Sequence, residues 1–239
     1  NPVLDWHAFR QADTISVTDR FVKEGIDLLQ PKYHDLSNIQ SGQPNPEGYR
    51  MVEFPLINGL TALIVSSLGN GDLVLISRFV SILISLGTIA SLYWFVKQIS
   101  NHKTAWLTAL VFAVLPFVVF YSRVILPEPA VLLFSTLALA TFTKFTHSQD
   151  LRFWLVSVVS LALAFLIKPF VGFLGPVFLI LAWLNYQQFY KQPLFYLYPI
   201  VSLIPLLGWR TWITQFPAGI PASDWLFNST KIRLRPAWF

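Results

Sequence analysis

Residues 153–186 form a stretch of 34 largely apolar positions interrupted by a single charge, Lys168. A helix crosses the hydrocarbon core of a bilayer with about 20 apolar residues, so the stretch is too long for one span. The pair Lys168-Pro169 divides it, because proline restricts the residue before it and ends a helix. Similar apolar runs occupy 73–96, 104–122, 126–143 and 194–212. With the halves 153–167 and 169–186 they predict six spans, and so an all-α, polytopic membrane helix bundle. Composition agrees. The chain is 54% hydrophobic, 16% aromatic and 12% charged, whereas an average soluble domain carries about 25% charged residues. That leaves too little polar surface for a water-soluble globule and excludes a disordered tail or a nucleic-acid-binding module.

The net charge of +5 comes from 17 scattered Lys and Arg residues, whose only short cluster is Lys231, Arg233 and Arg235. In a membrane protein a modest basic excess reflects loop orientation and anionic lipid, and no nucleic-acid partner is expected. Cysteine is absent, which removes disulfides and thiolate chemistry. The chain starts at Asn1 and ends in Trp238-Phe239, and we read it as a fragment or processed product.

The polar residues gather at the front. Eight of the twelve acids lie in residues 1–54: Asp5, Asp13, Asp19, Glu24, Asp27, Asp35, Glu47 and Glu53. Residues 14–24 read as an amphipathic helix with Ile15, Thr18, Phe21 and Val22 on one side and Gly25 ending it. Such a helix lies flat at a membrane surface. The prolines and glycines of 30–49 mark loop. Residues 55–68 are apolar but short for a span and suit a re-entrant or interfacial helix. The short loops near 97–103, 144–152 and 187–193 carry Lys97, Lys103, Lys144, Arg152 and Lys191 against the single acid Asp150. Short loops rich in Lys and Arg are cytoplasmic. The expected organisation is a first outer loop over 1–72 with interfacial helices, a bundle over 73–212, and a further outer loop over 213–239. An outer N-terminal loop also implies an earlier span.

Ionisable residues at membrane depth are costly and tend to be functional. Glu128 stands at the outer end of a span, five residues after Arg123; Lys168 and Arg210 also fall at outer ends. These residues point to a site between the acidic loop and the outer ends of the helices. Each has a plainer explanation. Arg123 and Glu128 would serve equally as a structural ion pair, Lys168 would snorkel to the headgroups, and Asp13 would cap the helix at 14–24. The four histidines are dispersed, and no zinc or Gly-rich phosphate motif occurs. A divalent metal held by Asp and His of the first loop stays open, with no spacing that argues for it.

The string His-Ala-Phe-Arg-Gln-Ala-Asp-Thr (7–14), followed by Gly25, Pro31 and Glu53-Phe54-Pro55-Leu56, resembles the first outer loop of bacterial family 39 glycosyltransferases. These are relatives of protein O-mannosyltransferases and of the lipid A aminoarabinose transferase. Arg123 to Glu128 resembles the Arg…Pro-Asp stretch that opens a mid-chain span in that family. Phe165 to Pro176 is similar to its Lys-Gly-Pro stretch, and Trp225 to Asn228 with Ile232-Arg233 resembles a later outer segment. The resemblance implies a GT-C-like bundle in the bacterial inner membrane. Such an enzyme moves a sugar from a polyprenyl-phosphate donor to a glycan, lipid or protein acceptor on the outer face. It also implies a catalytic acid in the first outer loop, best matched by Asp13, with Asp5 as second candidate. Relatives carry Asp-Glu about where this chain has Arg10-Gln11, and Lys-Pro-Pro where it has Glu53-Phe54-Pro55. Inverting transfer needs a carboxylate to take the acceptor proton. The phosphate leaving group needs cations, and Lys168, Arg123, Arg210 and Arg10 carry the right charge. The competing class is a transporter or flippase of a lipid-linked substrate, which favours polar residues near the midplane and broken helices.

Overall fold

The computed structural model describes residues 7–69, 71–186 and 188–222. Asp5 and the stretch from Trp225 to Arg233 fall outside them. The described chain is a bundle of α-helices without a β-strand; its one antiparallel bridge joins Lys32 and Tyr49.

Two short helices come first, α1 (Ala8–Glu24) and α2 (Leu56–Ser67), and pack on each other. The remainder is α3 (Leu73–Ile99), α4 (His102–Val114), α5 (Pro116–Tyr121), α6 (Glu128–Ser148), α7 (Leu151–Ile167), α8 (Gly175–Asn185) and α9 (Pro193–Ile213). Local chemistry sets many of these ends. Asp72, Asn101 and Asp150 cap α3, α4 and α7 through side-chain oxygens that accept backbone N–H groups, which satisfies donors a helix start leaves bare. Pro116 separates α4 from α5 inside the expected span 104–122. Lys168-Pro169 ends α7, and a 3-10 turn, Pro169–Leu174, leads into α8. The expected break is where the chain breaks.

Helices α3, α6 and α9 are long and apolar enough to cross a membrane, and α2, α7 and α8 are shorter apolar helices. Helix α6 is the centre: 67% of its apolar window is buried, against 28% for α3 and 22% for α9. It packs between α3 and α7, and α7 packs on α9. Lipid tails are as apolar as leucine, so close backbone approach and hydrogen bonds hold such helices together. Helix α3 buries Ser77, Ser81, Ser85, Thr88 and Ser91. Ser81 donates to the Val124 carbonyl at 2.9 Å and Ser91 meets Thr136 at 3.2 Å. Between α6, α7 and α9, Ser157 reaches the Ala138 carbonyl and the Tyr198 hydroxyl, each at 2.7 Å. The outward faces carry Phe79, Leu86, Leu184, Ile204 and Leu207, all exposed, as lipid contact requires.

The polar N-terminal segment is fastened to one end of this bundle. Met51 N–H donates to the Gly219 carbonyl at 2.8 Å, Phe54 N–H to Leu166 at 3.3 Å, and the Trp212 indole to Leu29 at 2.8 Å. Met51, Trp209 and Ile213 close a small core there. The start of α6, the end of α7 and the end of α9 therefore share one pole with the loop.

Helix α1 corrects one expectation. It starts at Ala8, six residues before the expected start at 14, with His7 in the left-handed region at φ 60° and no side-chain cap. Asp13 lies inside the helix and is buried, so it is not an N-cap. The early turns lack an apolar repeat because the residues they bury are Gln11 and Asp13, held by polar partners.

Candidate active site

Four charged side chains from four separate parts of the chain meet at the pole where loop and bundle join. Arg10, on α1, donates to Glu53 Oε1 and Glu128 Oε1, both at 3.0 Å. Lys168 Nζ lies 2.5 Å from the same Glu53 oxygen and 3.6 Å from Glu128 Oε1. Each is placed by a different device. Glu128 opens α6, where a carboxylate complements the helix dipole. Lys168 is fixed by the proline that ends α7, and its N–H closes that helix on Ala164. Glu53 sits on a bend before α2 whose next residue is bonded to Leu166. Arg10 is set by α1, which the side chain of Asn58 ties to α2 through the Thr14 carbonyl at 2.7 Å.

The four formal charges cancel. Glu53 and Lys168 keep only 17% and 16% of their side-chain surface, Glu128 26% and Arg10 39%. Lys168 is therefore largely enclosed and turned toward two carboxylates. Glu128 Oε2 is buried without a hydrogen-bond partner. An orphaned buried carboxylate oxygen is costly and points to use.

Asp13 lies one turn along α1 from Arg10 in a second network. Its Oδ2 meets Arg50 at 3.1 Å and accepts from the Gln40 amide at 3.1 Å. Arg50 also bonds Gln40 and stands 5.1 Å from the centre of the Tyr33 ring. Burial pushes the Asp13 carboxyl above its ordinary value, and Arg50 and Gln40 only partly reverse this. Asp13 therefore holds its proton more readily than an exposed aspartate.

Of the residues singled out from sequence, Arg10, Glu53, Glu128 and Lys168 come together, and Asp13 adjoins them. Arg123 and Arg210 are exposed and form no ion pair with a described residue. The expected Arg123–Glu128 pair is replaced by Arg10–Glu128. Sequence reasoning missed Arg50 and Gln40, which bind Asp13, and Gln11. Gln11 is 2% exposed, and its Oε1 accepts the Ile125 N–H at 3.1 Å, joining α1 to the turn before Glu128. A buried glutamine in a polar string gives no periodic signal. Arg50 had one: a cation three residues before Glu53 in an acid-rich loop. Among the described residues no three His, Asp or Glu side chains converge as a metal site.

Residues 54–212 match the family of dolichyl-phosphate-mannose-protein mannosyltransferases. The match covers about two-thirds of the chain. The protein belongs to this mannosyltransferase family. It is a membrane glycosyltransferase of the GT-C type, and the resemblance seen in the sequence holds at that level. The matched stretch contains Glu128 and Lys168 and begins one residue after Glu53; Arg10 and Asp13 precede it. No curated protein and no solved structure matches the chain.

Proposed function

We propose that this mannosyltransferase-family member takes a sugar from a polyprenyl-phosphate donor and passes it to an acceptor hydroxyl on the outer face of a bacterial inner membrane. The observation that carries the reading is the meeting of Arg10 and Lys168 on one carboxylate oxygen at the pole of the bundle. Two convergent cations are what a phosphate leaving group requires, and charge-assisted bonds of this type are the strong ones. Depth supports the same reading. Lys168 ends an apolar helix, so a lipid phosphate at the interface meets it while the polyprenyl chain stays in hydrocarbon.

Glu128 is the proton acceptor the geometry favours. One of its oxygens is held by Arg10 and the other has no partner. Asp13 is the other carboxylate that would serve: it is buried one turn from Arg10, and burial raises it above its ordinary value, the direction that makes a stronger base. Asp5, outside the described residues, keeps its standing from sequence alone. The charges sit at helix ends on one pole, which favours chemistry over transport. The test is turnover in detergent. The full protein, supplied with a polyprenyl-phosphate sugar and an acceptor, is expected to release polyprenyl phosphate with no sealed bilayer. A transporter leaves the donor intact, and that result ends this reading.

A further inference from the structure

The same four side chains carry a consequence for how the site is kept before the donor arrives. Glu53 Oε1 lies 3.0 Å from Arg10 and 2.5 Å from Lys168. One anionic oxygen between two cations is the arrangement a phosphate oxygen would adopt. With Glu53 and Glu128 in place the cluster has no surplus positive charge, and a phosphate entering it would add a third anion to two carboxylates. Like charges at such separations repel strongly where water is partly excluded, so one carboxylate must give way.

The two differ in freedom. Glu128 is the first residue of α6 and is buried at Oε2. Glu53 lies on a bend outside any helix, and a narrow cleft runs beside it with Arg50, Pro55 and Asn58 on its walls. Glu53 therefore has space to leave and another cation, Arg50, along the path.

We propose that the Glu53 carboxylate is an internal stand-in for the donor phosphate: it holds Arg10 and Lys168 in register in the empty site and is displaced when the phosphate binds. This rests on the reading that those two cations hold the phosphate. It makes Glu53 a competitor that sets donor affinity, and it keeps the cations from capturing bilayer phospholipid headgroups.

The experiment measures the dissociation constant of polyprenyl phosphate for the full protein in detergent, with polyprenol lacking phosphate as the second probe. Glu53→Gln keeps the shape and removes the charge, and is expected to tighten polyprenyl phosphate binding by about tenfold or more while leaving polyprenol unchanged. Glu53→Asp keeps the charge but draws it back by one methylene, and is expected to tighten binding by less. It also serves if the glutamine variant folds poorly. Lys168→Gln is expected to weaken binding of the phosphate probe. If Lys168→Gln weakens binding while both Glu53 variants bind as the parent does, or more weakly, the stand-in is overturned and the phosphate site survives. If Lys168→Gln leaves binding unchanged, the phosphate site itself fails and the stand-in with it.

Discussion

Lys168 and Glu53, 115 residues apart in the chain, meet at 2.5 Å where α7 ends against the N-terminal loop. The lysine's backbone N–H closes α7, so its side chain is free of that duty. Substituting Lys168 with Gln keeps that closure but leaves Glu53 and Glu128 to share Arg10. We expect Lys168→Gln to melt below the parent in detergent and, where it is folded, to raise the KM for the polyprenyl-phosphate donor by about tenfold or more. An unchanged KM in the folded variant would remove Lys168 from the site.

The sidedness of the bundle is open to direct measurement, since the chain has no cysteine of its own. Gln43 and His147 are both exposed and lie at opposite poles. We expect Gln43→Cys to react with an impermeant maleimide in intact cells and His147→Cys to react only after the membrane is opened. Labelling of both from the same side would contradict the orientation read from the basic loops.

Much of the bundle is legible in the sequence because its determinants are local. Pro169 stops α7 whatever surrounds it, and apolar runs mark helix depth without reference to neighbours. Depth is all that hydropathy conveys. Arg123, Arg210 and Lys168 read alike as cations at helix ends, and which of them turns toward α1 depends on packing between elements more than a hundred residues apart. The start of α1 was hidden for a related reason. Gln11 and Asp13 are buried by polar partners from the Ile125 backbone and from Arg50, so the helix has no apolar stripe there to see.

The loop that brings Arg50 to Asp13 depends on one glycine. Residues 31–33 and 48–50 run side by side, joined by Tyr33 N–H to the Gly48 carbonyl at 2.8 Å and Arg50 N–H to the Pro31 carbonyl at 2.9 Å. Gly48 has φ +67°, and a Cβ there would lie 2.6 Å from the Tyr33 carbonyl oxygen. That oxygen is backbone and cannot swing aside. We expect Gly48→Ala to cost roughly 1–3 kcal/mol, read as a lower melting temperature. A parent-like melt would show that the loop re-forms around an alanine.

Asp13 has a pH signature of its own. Burial raises its folded-state carboxyl above the ordinary value of 3.8, so the folded protein binds this proton more tightly than the unfolded chain does. Stability from the group is then greatest below that ordinary value and declines as pH rises through the raised one. We expect the melting temperature of the parent, taken relative to Asp13→Asn, to fall as pH rises across the carboxylate range. A difference that stays flat or runs the other way would mean that Arg50 outweighs burial.

The proton acceptor separates by two substitutions that preserve shape. Asp13→Asn keeps an oxygen for Gln40 and Arg50 but leaves Arg50, itself largely enclosed, without a counter-charge, so its first effect is on the melt. Glu128→Gln keeps an oxygen toward Arg10 but puts an amide at a buried, unpartnered position and removes one of the two carboxylates facing Arg10 and Lys168, so its turnover too is read where the variant is folded. If Glu128 takes the acceptor proton, Glu128→Gln folds, binds donor and loses about 10²–10⁴-fold in kcat, while Asp13→Asn retains most of its turnover under conditions where it stays folded. The reverse pattern, with Glu128→Gln active and a folded Asp13→Asn inactive, would give the role to Asp13. Loss in both with donor binding intact would mean that the two carboxylates, Glu128 bound to Arg10 and Asp13 one turn along α1 from it, act as a unit, and the double variant would then be no worse than either single one.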